Sequence, residues 1–160
     1  EEISSSLNPE GSEEESKRRN GLILAAFYFT NNVLEYAAAN NSFYIVRNGE
    51  LISCPADKMP VGKHSYMNIY FDKNGFTKGD IVYSLTDGYA DQFGGPKGKK
   101  FKYKQIRELM CEYSEIPLNK QVFKFNEAFE SWQGSLEQVD DVTCFGKKLI
   151  NEEAFIQLIS

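Results

Sequence analysis

Asp80-Ile81-Val82-Tyr83-Ser84-Leu85-Thr86-Asp87-Gly88 reads as a buried strand that runs straight into a carboxylate. The apolar run Ile81 to Leu85 is bounded by the turn signal Thr77-Lys78-Gly79-Asp80 on one side and by Asp87-Gly88 on the other. A second acidic signature, Asp140-Asp141 in Gln138-Val139-Asp140-Asp141-Val142-Thr143, opens the apolar run Val142 to Phe145. A carboxylate at the mouth of a buried strand is costly unless its charge finds a partner. Two such mouths side by side in one sheet make an oxygen-rich cluster of the kind Mg²⁺ or Mn²⁺ prefers.

Working outward, the first half of the chain reads as a run of strands. Leu22 to Phe29 is continuously apolar and aromatic, and Val33 to Ala38 returns from the turn Thr30-Asn31-Asn32. Ser42 to Arg47 and Glu50 to Cys54 flank Asn48-Gly49, a pair that tolerates the positive φ of a tight hairpin. Asp57 to His64 is a loop, and Tyr66 to Phe71 is a further strand. The second half changes period. Gly94-Gly95-Pro96-Lys97-Gly98 reads as a flexible loop. Tyr103 to Tyr113 has helical spacing through Ile106, Leu109, Met110 and Tyr113. A second helix starts near Pro117, carries Val122, Phe125, Phe129 and Trp132 as its apolar stripe, and ends at Gly134. Val142 to Leu149 is a last strand, and Phe155, Ile156 and Ile159 predict a short helix within residues 151–160. Strands, two helices, a strand and a short helix make an α+β fold with largely antiparallel sheets.

The 160 residues suit one domain, and 41% hydrophobic content supports a core. Twelve Phe and nine Tyr favour sheet. The net charge of −5 and the absence of a basic stripe argue against a nucleic-acid partner. The densest basic cluster, Lys97, Lys99, Lys100, Lys102 and Lys104, reads first as a solvated face and second as a surface for an acidic or phosphorylated partner. Cys54, Cys111 and Cys144 lack metal-ligand spacing, and Cys144 sits in an apolar run as a small core residue, so a reducing, cytoplasmic setting is expected. No apolar stretch reaches bilayer length, and no membrane contact is expected from this segment. Residues 1–20 are polar and expected to be partly mobile, the end of a preceding helix, with the domain proper over 21–150.

Four segments, in order, resemble the metal-dependent (type 2C) protein phosphatases, and among them the bacterial SpoIIE/RsbU-like branch. They are Leu34-Glu35-Tyr36-Ala37-Ala38-Ala39-Asn40-Asn41, the loop Lys58-Met59-Pro60-Val61-Gly62, the stretch from Lys78 through Asp87-Gly88 to Gly95, and Leu136 to Thr143. The resemblance implies an α-β-β-α sandwich and two divalent cations, Mn²⁺ or Mg²⁺. It implies hydrolysis of phosphoserine or phosphothreonine on a regulatory protein such as an anti-anti-sigma (STAS-like) factor. It also implies an upstream sensor or signalling domain. By resemblance, Asp87 and Asp140 are catalytic metal ligands, Gly88 lets the chain turn beside Asp87, Asp141 orients waters, and Asp91 contributes through water. The chemistry agrees: paired cations neutralise the phosphate oxygens and lower the pKa of a bound water.

The family's first motif, a glycine-flanked aspartate that bridges both metals, has no match, and Glu1 to Gly21 contain no Gly-Asp. Two explanations compete, an N-terminally truncated domain and a degenerate, non-catalytic relative. Truncation is favoured because both later acidic motifs are intact. Either way this chain alone is expected to be inactive, and open sheet edges favour a homodimer. The alternative class is an interaction module using Phe93, the lysine cluster and residues 151–159. His64 reads as a surface-loop histidine without a role.

Overall fold

The computed structural model describes residues 21–58, 70–72, 75–150 and 155–159. The polar segment 1–20, most of the Asp57–His64 loop and His64 itself lie outside them. The chain divides into two compact units. The first comprises residues up to Ser42, Pro55–Phe76 and Glu152–Ser160, and the second Phe43–Cys54 and Thr77–Asn151.

In the first unit, strands β1 (Leu22–Tyr28), β2 (Val33–Ala39), β5 (Tyr70–Asp72) and β10 (Phe155–Ile159) form an antiparallel sheet in the order β10-β1-β2-β5. Ile23, Leu34, Ala38 and Ala39 are buried, whereas Leu24 and Tyr28 face outward, so β1 alternates despite its wholly apolar composition. The turn after β1 puts Asn32 at a φ of 56°, a left-handed value that asparagine tolerates. Phe76 donates its backbone N–H to the Asn32 carbonyl at 3.2 Å and packs edge-on against Phe27 and Phe29.

The expected C-terminal helix is corrected: Phe155–Ile159 is a strand, paired antiparallel with β1 from Phe27↔Phe155 to Ile23↔Ile159. The spacing of Phe155, Ile156 and Ile159 suits one helical face. Four apolar residues in a run of five equally suit a strand, and the free ladder edge of β1 decides between them.

The second unit holds β3 (Phe43–Arg47), β4 (Glu50–Cys54), β6 (Ile81–Leu85) and β9 (Cys144–Lys148), ordered β4-β3-β6-β9 and antiparallel throughout. Asn48 and Gly49 turn β3 into β4 with φ of 50° and 79°, as the dipeptide predicts. Strand β6 is buried along its whole length. Helices α2 (Lys102–Tyr113) and α3 (Leu118–Gln133) pack Ile106, Met110, Phe125 and Phe129 against Tyr44, Val46, Ile81, Tyr83 and Leu85. Alternate residues of β3 and β6 therefore supply the face that the helices cover.

Helix α3 is rotated from the expected stripe. Val122 is 67% exposed, and Gln121 takes its place inside. The Tyr83 hydroxyl donates to Gln121 Oε1 at 2.6 Å, and Gln121 Nε2 donates to the Ile116 carbonyl at 2.9 Å. A buried phenol needs such a partner, which repays the burial of an amide. Cys144 is likewise corrected, because solvent reaches it on β9.

Burial pushes up the phenols of Tyr83 and Tyr89 on this core. It also raises Tyr103, which reaches about 12. The folded state thus keeps protons that the unfolded chain releases near 10.0. The stability these phenols contribute is fully present below that pH and is lost as pH rises from there through the folded-state values. Urea midpoints are expected to fall from pH 10 to pH 12, and a flat profile there would show these rings to be solvated.

Candidate active site

Strand β6 ends at Leu85, and Thr86 continues extended with φ −75° and ψ 158° before a single turn of helix, α1 (Asp87–Asp91). The sequence shows this only as a strand end followed by Asp-Gly. The loop 137–143, which carries the second acidic motif, lies against this turn. The Thr86 hydroxyl donates to the Asp141 carbonyl and accepts the Thr143 N–H, each at 2.9 Å. The Thr86 N–H adds a bond to the Thr143 carbonyl at 3.0 Å.

Gly88 is where the backbones meet. A β-carbon there would overlap the Asp141 carbonyl oxygen and press on the carbonyl carbon of Asp140. Gly88 serves close approach at the point where strand passes into helix; its φ is not positive, so what the position requires of glycine is room and not a left-handed backbone. On the other side of α1, Gln92 is completely buried. Its Nε2 donates to the Glu137 carbonyl at 2.9 Å and to the Phe93 carbonyl at 3.0 Å, while its Oε1 accepts the Val139 N–H at 3.2 Å. Thr86 and Gln92 therefore pin the acidic loop at both ends, with Gly88 between them.

The result sets Asp87 and the Asp140-Asp141 pair on touching stretches of backbone, all three exposed. One Asp140 oxygen accepts the Asp141 N–H at 2.8 Å, and Gln138 Nε2 holds the Asp140 carbonyl at 2.8 Å. Asp91, at the far end of α1, pairs with Lys100 Nζ at 2.9 Å. The Tyr103 phenol shares this neighbourhood. Burial raises its pKa most, then the negative charge of Asp87, with Tyr44 and Asp91 adding to it.

Lys100 belongs to a small hairpin that the sequence shows only as a loop. Strands β7 (Phe93–Gly94) and β8 (Lys99–Lys100) pair across the Gly95–Gly98 turn. Gly94 and Gly95 lie so close to Trp132 that side chains there would overlap its carbonyl oxygen and its ring. Trp132 Nε1 donates to the carbonyls of Gln92 and Lys99, both at 3.2 Å.

The donor set fits a hard divalent cation in kind. Exposed aspartate oxygens suit Mg²⁺ or Mn²⁺, ions that retain several waters and bind through one or two carboxylates. In number it falls short of a closed site. Among the described residues, no group of three or more His, Cys, Asp or Glu side chains stands in a ligating array. Thr86, Gln92 and Trp132 escaped the sequence reading because their partners lie far along the chain. Local pattern shows Trp132 only as part of an apolar stripe and Thr86 only as part of a strand end.

No protein-family model and no curated protein sequence matches the chain. Solved structures do. The PP2C domain of SiaA from Pseudomonas aeruginosa superposes with a TM-score of 0.67 at 24% identity, over 73% of this chain. The chain has the type 2C phosphatase fold. The phosphatase domain of the cell fate determinant SpoIIE from Bacillus subtilis, presoaked with manganese, matches 93% of the chain at 14% identity and a TM-score of 0.63. The catalytic domain of the serine threonine phosphatase PstP, in complex with two manganese ions, matches 75% at 16% identity and a TM-score of 0.50. The chain spans 46% of the SiaA domain and 64% of the SpoIIE domain. Within the type 2C fold seen here, both acidic motifs sit in the second unit, at the ends of β6 and of the loop leading to β9.

Proposed function

We propose that this chain is part of a metal-dependent protein serine/threonine phosphatase of the SpoIIE kind. The observation that supports this reading best is the seating of the Asp140-Asp141 backbone on Gly88, directly beside Asp87. In this reading Asp87 and Asp140 hold Mn²⁺ or Mg²⁺, Asp141 orients coordinated water, and Asp91 positions Lys100. Two such cations, when bound, supply a deprotonated water and neutralise the phosphoryl oxygens. The chain's own part is placement. Thr86 and Gln92 hold the acidic loop, so the carboxylates need no reorganisation during the reaction. Tyr103 keeps its proton at neutral pH and offers a hydrogen-bond donor beside Asp87.

The family's bridging aspartate has no counterpart in the 160 residues. We therefore assign hydrolysis to the intact domain, with a further segment supplying that ligand, and expect none from this chain alone. The substrate we propose is phosphoserine or phosphothreonine on a cytoplasmic regulatory protein of the anti-anti-sigma type, acting under an upstream sensor. Among the described residues, no helix is long and apolar enough to cross a membrane. A second reading, a non-hydrolytic module on the same fold, draws support from the described residues bringing no three His, Cys, Asp or Glu side chains into one ligating array.

The two readings separate on metal dependence. An intact domain that contains this chain is expected to hydrolyse a phosphoserine peptide with Mn²⁺ and to stop on chelation. An intact domain that leaves the peptide untouched at saturating Mn²⁺, yet binds an unphosphorylated partner in EDTA, would overturn the enzyme reading.

A further inference from the structure

We propose that the lysine surface of the β7–β8 hairpin and the start of α2 docks an acidic stretch flanking the phosphorylated residue of the substrate protein. The proposal rests on the phosphatase reading above and extends it to substrate choice.

Five lysines, Lys97, Lys99, Lys100, Lys102 and Lys104, fall within eight positions of a chain whose net charge is −5. All five are exposed. Lys100 is the one drawn firmly into an ion pair, with Asp91 at 2.9 Å, and Lys104 reaches Glu108 only at 4.0 Å. Among the described residues, Lys97, Lys99 and Lys102 form no ion pair. Crowding like charges without partners raises the free energy of the isolated surface, and an anion relieves it.

The platform beneath them is rigid. Gly95 donates its N–H to the Trp132 carbonyl at 2.7 Å, Gly98 closes the turn onto the Gly95 carbonyl at 3.2 Å, and Phe101 ties back to the Gln92 carbonyl at 2.9 Å. Lys102 is held at a φ of 73°, in the left-handed region that non-glycine residues avoid. Lysines that only solubilise a surface need no such frame. Strained positions held by their surroundings cluster at binding surfaces.

The surface also borders the candidate site. Lys100 lies over the Phe93 ring at 5.8 Å from its centre while gripping Asp91, on the same helical turn as Asp87. A peptide whose phosphoresidue sits at Asp87 would pass its neighbouring residues over the hairpin. No arginine occurs among residues 97–104. Mobile ammonium charges favour fast, salt-sensitive encounter with carboxylates over tight bidentate capture, which suits a substrate that must leave. A long polyanion would also meet the surplus negative charge of the rest of the chain, which favours a short acidic peptide over nucleic acid or a lipid surface.

Fluorescence anisotropy of the 160-residue chain in EDTA tests this. The probes are two phosphoserine peptides, one with glutamate flanks and one with glutamine flanks. The acidic peptide is expected to bind roughly tenfold more tightly at low salt, and the gap should close as salt is raised. The triple variant K97E/K99E/K102E should erase the preference, and the control K78E/K120E should keep it. Equal binding of the two peptides, or a preference that survives the triple variant, would overturn the proposal. So would tighter lysine-dependent binding of single-stranded RNA or of phosphatidylserine vesicles. An intact domain that hydrolyses p-nitrophenyl phosphate with Mn²⁺ but shows no flank preference would remove the docking and leave the phosphatase reading standing. One that hydrolyses neither substrate would remove the phosphatase reading itself.

Discussion

Asn in place of Asp87 or Asp140 is expected to lower Mn²⁺-dependent turnover of the intact domain by about a hundredfold to a thousandfold. That is the scale of removing one preorganised charge-stabilising group. Each change removes one negative charge and barely alters volume, and both residues are exposed, so the fold should persist. The matching structural test is Gly88→Val. It leaves every carboxylate in place but drives a side chain into the Asp141 carbonyl oxygen. The acidic loop must then lift off α1, against the bonds from Thr86 and Gln92. A comparable loss of turnover is expected, and excess Mn²⁺ should not restore it. Steady-state kinetics across a Mn²⁺ titration, with circular dichroism as the control for folding, reads both effects. Near-normal turnover in D87N and D140N together would end the assignment of these residues as metal ligands.

The largest effect on stability is expected at Asp80, which never enters the chemistry. Its side chain is 2% exposed and accepts from Arg47 Nη2 at 2.8 Å, from Arg47 Nε at 3.1 Å and from the Thr77 N–H at 2.7 Å. Its backbone carbonyl also accepts the Leu149 N–H at 2.8 Å. One carboxylate thus ties the end of β3 to the turn before β6, and its own backbone holds the strand that leads out of β9. Asp80→Ala takes the paired carboxylate away from Arg47 and strands the Thr77 donor. Breaking a buried pair from one side costs about 3–5 kcal/mol. Arg47 retains some access to water, which places the expected loss near the lower end, about 3 kcal/mol, or roughly 6–12 °C in Tm for a domain of this size. The double variant Asp80→Asn with Arg47→Met should recover part of it, because neither side then leaves a charge without a partner. Urea denaturation of the three proteins measures this, and a loss under about 1 kcal/mol in Asp80→Ala would show the pair to be solvent-screened.

The contrast between these two sites shows which contacts a sequence reveals. Asp87-Gly88 and Asp140-Asp141 were legible because each closes or opens an apolar run, and because their order resembles a known family. Asp80 reads only as part of a turn. Its value comes from Arg47, 33 residues away. Gln92 reads as one polar residue between Asp91 and Phe93, yet it is completely buried and holds a loop 45 residues downstream. Val122 shows the opposite error. It fits the apolar period of α3 and still faces solvent, because the helix turns Gln121 inward to meet the Tyr83 hydroxyl. Periodicity identifies a helix that has an inner face, but a hydrogen-bond partner from another element decides where that face is centred.

The sequence by itself determined the strands from Leu22 to Cys54, the Asn48-Gly49 hairpin, the two long helices and the stop at Gly134. These depend on alternation, helical spacing and allowed φ values, all of which act over a few residues. Only the tertiary structure decided that Phe155–Ile159 is a strand, that Gly94 and Gly95 seat against Trp132, and that Gly88 meets the backbone of Asp141. Each of those outcomes needs a surface that distant segments supply. A free sheet edge, a facing indole and an incoming carbonyl exist only after the chain has closed on itself, so no local pattern encodes them.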